Sequence, residues 1–122
     1  SGSSTAAIYC TRPISLENPS TALDVRLTQN VRSTSSVRVF FRATSSEEVR
    51  NIEDLGWTAF NSDGSEDTTV TPAEDAGTFK EYKYSASAIG EFSAFQIKIV
   101  MKGTNSAYPP VIKDLRGIAL AV

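Results

Sequence analysis

The sequence predicts an all-β fold, an antiparallel two-sheet β-sandwich closed in a jelly-roll or immunoglobulin-like order, with one short helical turn. Three observations carry this reading. Apolar and polar residues alternate with period two in several runs, clusters of Asn, Ser, Thr and Gly separate those runs, and no long stretch keeps a helical period. At 122 residues, 40% of them apolar and 21% charged, the chain suits one domain with one core. Ser1-Gly2-Ser3-Ser4 opens residues 1–6, which read as a linker or cloning scar. Residues 7–122 are expected to form the sandwich, as the C-terminal module of a longer protein.

Extended structure is expected to begin weakly between Ala7 and Leu16, where Pro13 lacks the donor that a ladder needs and so marks an edge or a bulge. Ala22 to Thr28 alternates cleanly, with Leu23, Val25 and Leu27 on one face. Val37 to Ala43 follows, turning Val37, Val39, Phe41 and Ala43 inward and leaving Arg38, Phe40 and Arg42 on the polar side. Ser45 to Glu48 fits a capping box, Val49, Ile52 and Leu55 recur at three-residue spacing, and Gly56 stands where a C-terminal cap belongs. A short helix or helical turn is expected there, with an irregular loop as the alternative, since pieces this short are marginal. Trp57 to Asn61 is a weak strand, and Ser62 to Gly77 a long acidic surface loop. Phe79 to Ser85 pairs Tyr82 with Tyr84 on one face. Phe95 to Met101, with Phe95, Ile97, Ile99 and Met101 together, is expected to be a central strand. Leu115 to Ala121 closes the fold.

Charge and composition exclude more than they assign. A formal charge of −2 gives no broad positive field, so nucleic acid is not expected as a partner. No apolar stretch reaches the roughly 20 residues of a membrane-spanning helix. The complete lack of histidine removes the commonest general base, triad partner and transition-metal ligand, so neither an enzyme nor a cofactor is expected. Cys10 is the only cysteine and reads as a small buried residue. Asp63, Glu66, Asp67, Glu74 and Asp75 place carboxylates in the acidic loop, which raises calcium binding and a two-carboxylate hydrolase as lesser readings. The segment from Asn61 to Asp67 does not follow the helix-loop-helix calcium pattern, and a flexible loop offers no apolar setting to raise a carboxyl pKa. Four aromatics are candidate ligand or partner contacts: Phe40, Trp57, Phe60 and Tyr108. Trp57 also reads as a core plug, while Tyr108, beside Pro109-Pro110, looks exposed.

The segment from Phe95 to Leu120 combines a strand, a Thr104-Asn105-Ser106 turn and the run Pro110-Val111-Ile112-Lys113-Asp114-Leu115-Arg116-Gly117-Ile118-Ala119-Leu120. It resembles the end of modules in structural proteins of contractile-tailed bacteriophages, including those infecting marine cyanobacteria. Leu23-Asp24-Val25, Val37 to Arg42 and Leu55-Gly56-Trp57 resemble the earlier part, so the likeness covers most of residues 8 to 121. The resemblance implies a non-catalytic virion module of the tail or baseplate, made in the host cytoplasm, that docks onto other virion proteins or onto copies of itself. A receptor-binding or carbohydrate-binding module contacting a host-surface glycan is the alternative. No active site is carried over.

Overall fold

A computed structural model of the chain describes residues 5–30, 35–67, 79–103 and 111–120. The alternating runs become eight strands: β1 (Thr5–Cys10), β2 (Ile14–Ser20), β3 (Ala22–Asn30), β4 (Ser35–Thr44), β5 (Thr58–Ala59), β6 (Lys80–Ala86), β7 (Phe92–Gly103) and β8 (Val111–Leu120). They form two antiparallel sheets, one holding β1, β2, β7, β4 and β5 and the other running β6-β3-β8.

β2 pairs with β7, β3 with β6 and β4 with β5, each antiparallel, as three hairpins nested one inside the next. Sheets ordered β2-β7-β4-β5 and β8-β3-β6 are the product of rolling up such a nested hairpin, which selects the jelly-roll over the immunoglobulin-like order. β1 departs from the roll. A complete jelly roll would set it beside β8, but it pairs with β7 instead, end to end with β2 along one edge. Pro13 stands in the break between those two strands. Thr11 holds the break closed, its N–H donating to the Ile97 carbonyl at 2.9 Å and its Oγ1 accepting from the Ile97 N–H at 3.0 Å.

Side chains of alternate residues meet between the sheets. Leu23, Val25 and Leu27 from β3, Val37, Val39 and Phe41 from β4, Tyr82 and Tyr84 from β6, and Phe92, Phe95, Ile97 and Ile99 from β7 form one buried cluster with Phe60. Burial of such side chains, about 1.5–3 kcal/mol each, is what opposes the entropy of ordering the strands. β7 is the central strand expected, paired with β4 on one side and β1 and β2 on the other. Gln29 is buried at the end of β3 and donates to the Tyr84 hydroxyl at 3.0 Å. Burial in turn raises the Tyr84 pKa.

The capping-box helix is reduced to a single 3-10 turn, Ile52–Asp54. Glu48 does not cap. Its carboxylate reaches forward, accepting from the Arg50 Nε at 2.8 Å and the Arg50 backbone N–H at 3.0 Å, and these bonds lower its pKa to about 2. Of the three apolar residues, Ile52 is buried while Val49 is 96% exposed, so no apolar face exists to hold a helix against the sheet. A second 3-10 turn, Phe60–Ser62, ends β5 after only two residues.

Candidate functional site

The strand register assembles a cluster on the outer face of the five-stranded sheet. β4 and β7 set Phe40 opposite Lys98 and Arg42 opposite Gln96, and β5 sets Ala59 on the other side of Phe40. Since Phe41 and Ile97 point inward, these neighbours point out. Trp57, two residues before Ala59, joins the same face. Lys98 Nζ lies 4.9 Å from the Phe40 ring centre and 5.0 Å from that of Trp57, and the Arg42 guanidinium carbon sits 4.1 Å from the Trp57 ring centre. Each such contact contributes about 0.5–1 kcal/mol at an exposed site and more where water is excluded.

Arg42 is the hub of this face. Its Nε donates to Gln96 Oε1 at 2.7 Å, and its Nη1 donates to the carbonyls of Glu53 at 3.1 Å and Leu55 at 3.0 Å. Gln96, buried at 7% exposure, passes the connection on by donating Nε2 to the Thr11 carbonyl at 2.8 Å. One network thus ties the 3-10 turn after β4 to the β1–β2 break across the sheet. Arg42→Lys is expected to lower stability by about 1–2 kcal/mol, since an ammonium cannot span Gln96 and two carbonyls as the planar fork does. Chemical denaturation reads the loss. Trp57 emission should shift to the red in the folded variant as the ring loses its cover, and an unchanged midpoint and spectrum would refute the hub role.

Of the four aromatic candidates, the structure brings Phe40 and Trp57 together and separates Phe60 from them. Phe60 is not a surface platform: it is 0% exposed, 4.9 Å from the Phe41 ring and 6.1 Å from that of Tyr84. Trp57 is not a core plug either, but a half-buried residue of the outer face. Tyr108 lies outside the described residues. Sequence reading missed Lys98, Gln96 and Thr11 as members of the cluster. Their outward positions on alternating runs were the available signal, but which residues they oppose depends on register.

In the described part of the acidic loop, Asp63 and Asp67 are held by hydrogen bonds. Asp63 accepts from the Ser65 N–H at 2.9 Å and from the Ser65 hydroxyl, bonds that hold its pKa below the usual range. Asp67 accepts from Ser85 through both N–H and hydroxyl and from Asn61 Nδ2, while its own N–H donates to the Lys83 carbonyl at 2.8 Å. Burial pushes the Asp67 pKa up, and the bonds from Asn61 and Ser85 outweigh it, leaving the carboxyl below its ordinary value. Neither group has the raised pKa of a general acid. Among the described residues no three His, Cys, Asp or Glu side chains gather as a metal site, and Glu74 and Asp75 lie outside them. Cys10, expected to be buried, is exposed on the edge strand β1. No helix of the described residues is long and apolar enough to cross a membrane.

No protein-family model matches the chain, and neither a curated protein nor a solved structure matches it.

Proposed function

We propose that the chain is a non-catalytic docking module of a tailed-phage particle, a tail or baseplate component that joins other virion proteins or further copies of itself through a sheet edge. The observation that carries the docking role is the state of β1. From Thr5 to Cys10 it has no charged residue and no proline, it lies at an edge, and it exposes Ile8 at 66% and Tyr9 at 52%. Natural sheets protect free edges with Lys, Pro, bulges or covering loops, because an open row of N–H and C=O groups pairs with any suitable strand. Among the described residues β8 likewise pairs with β3 alone, so the departure of β1 to β7 leaves two open edges. Strand addition at such an edge supplies main-chain hydrogen bonds, with side-chain pockets adding selectivity. The virion setting is supported by the sequence resemblance over most of residues 8 to 121.

The test is co-expression with the products of the genes flanking this one, read by size-exclusion chromatography with light scattering. A defined complex or homo-oligomer is expected, and Ile8→Lys, which places a charge on the edge without touching the core, should weaken it at least about tenfold. A chain that stays monomeric and unbound with every neighbouring product, or a complex indifferent to the lysine, overturns the proposal.

Glycan binding is the second reading, favoured by the convergence of Phe40 and Trp57 with Lys98 on an open sheet face.

A further inference from the structure

On that same outer face, β4 and β7 carry charge of one sign. Reading across β4 and β7, Arg42 stands opposite Gln96, Phe40 opposite Lys98, Arg38 opposite Val100, and Ser36 opposite Lys102. Arg42, Lys98, Arg38 and Lys102 therefore form a zigzag, each step moving one strand across and two residues along. Diagonal neighbours of this kind lie about 7–8 Å apart, and the row extends about 20 Å at roughly 3.3 Å per residue. The neighbouring strand positions are Ile8, Cys10 and Ser15, which oppose Val100, Lys98 and Ala94. The one carboxylate these strands add is Glu17 of β2, which shares the face of Ser15 because Leu16 between them packs against the core. Further acids belong to flanking loops: Asp63, whose pKa Arg38 helps to lower, and Glu53 and Asp54 in the turn that Arg42 holds by the Glu53 carbonyl. Among the described residues none of the four cations forms an ion pair with a carboxylate.

The three-stranded sheet is built the other way. Its outer face sets Arg26 3.3 Å from Asp24 and 3.5 Å from Glu81, and Lys83 3.8 Å from Asp24. In a chain whose net charge is −2, one face neutralises itself and the other segregates its cations along β4 and β7. A row of like charges repels itself, and an anion that follows the row relieves that repulsion.

We infer that the outer face of the five-stranded sheet binds a linear polysaccharide bearing carboxylate groups, laid along the Arg42–Lys102 row, an inference that rests on the glycan-binding reading. Two observations select this ligand over other partners. Single-stranded nucleic acid needs open aromatic faces for its bases, whereas Lys98 sits over Phe40 and Trp57, and Arg42 over Trp57. A protein partner favours a dry interface centre depleted of charge, and here cations occupy the centre of the face. A hydrated acidic glycan needs neither. Its carboxylates meet Lys98, Arg38 and Lys102, while its ring C–H groups meet the remaining surface of Phe40 and Trp57.

Titration calorimetry of the full chain with polygalacturonate tests this, with dextran, polyglutamate and oligothymidylate as comparison ligands. Polygalacturonate is expected to bind, more weakly as salt rises. Lys98→Gln with Lys102→Gln should reduce its affinity at least about tenfold, because both are charge-assisted contacts, while Arg26→Gln on the opposite sheet leaves it unchanged. Lys102→Glu, at an exposed strand position, keeps the experiment readable if the double variant fails to fold. Unaltered binding by the lysine variants overturns the inference, as does binding confined to polyglutamate or oligothymidylate. Binding to dextran but not to polygalacturonate overturns it while leaving the glycan-binding reading in place, and silence toward both glycans removes the two together.

Discussion

Phe60→Ala is expected to lower the free energy of unfolding by about 3–5 kcal/mol, the cost of removing a fully buried phenyl ring whose surroundings cannot collapse completely. The ring is 0% exposed and meets Phe41 of β4 at 4.9 Å and Tyr84 of β6 at 6.1 Å, one residue from each sheet. It therefore closes the sandwich on the flank where β5 stops after two residues. Tilted aromatic pairs of this kind contribute about 0.5–1.5 kcal/mol beyond the area they bury. Phe60→Leu should retain roughly half of the lost stability, since it refills part of the cavity. Urea denaturation reads both, and a loss below about 1 kcal/mol for the alanine variant would mean that the ring is not where the two sheets meet.

Gly64→Ala is expected to cost about 2–4 kcal/mol, because two penalties add at one position. The residue has φ +86°, a conformation that costs an L-residue about 1–2 kcal/mol. An added Cβ would also lie 3.0 Å from Arg38 Cβ and 3.2 Å from the Val39 nitrogen. That nitrogen donates to the Gly64 carbonyl at 2.9 Å, and the Gly64 N–H donates to the Phe60 carbonyl at 2.6 Å. Any shift that relieves the clash stretches bonds contributing about 0.5–1.5 kcal/mol each. Two other glycines separate the penalties. Gly90 has φ +94° with nothing near its missing Cβ, so Gly90→Ala should show the backbone cost alone. Gly56 has open space and no positive φ, so Gly56→Ala should be neutral or stabilising by up to about 1 kcal/mol. The order of effect, Gly64 above Gly90 above Gly56, is the checkable result in thermal melts, and a Gly64 variant no worse than the Gly90 variant contradicts the close-packing argument.

Period-two alternation made much of the fold legible. It placed Leu23, Val25, Leu27, Val39, Ile97 and Ile99 inside, and it marked β7 as central because its alternation was the strongest. Alternation says which face a side chain takes but not which residue it opposes, so the pairing of Phe40 with Lys98 and the cation row stayed hidden. Trp57 and Phe60 show the same limit. Their three-residue spacing puts them on opposite faces of a strand, yet only the placement of Ala59 beside Phe40 says which face is outer. The short helix or helical turn expected after β4 forms as a single 3-10 turn, Ile52–Asp54, without the predicted cap. Ser45 to Glu48 has the residues of a cap, but Arg50 competes for the Glu48 carboxylate, and the exposed Val49 supplies no tertiary packing to favour a longer helix. Cys10 and Ile8 are apolar by composition and exposed by topology, because their strand left its expected neighbour for the edge of β7.

The nested pairing also governs when the molecule can form during synthesis. β1, β2 and β4 have β7 as their common neighbour, and β7 spans Phe92–Gly103, made after all three of them. Before that segment leaves the ribosome, the larger sheet has no middle, and only the short β4–β5 contact and the β3–β6 ladder join strands already made. Maturation must wait for β7, and a nascent chain halted ahead of Phe92 would hold its apolar stripes open to solvent.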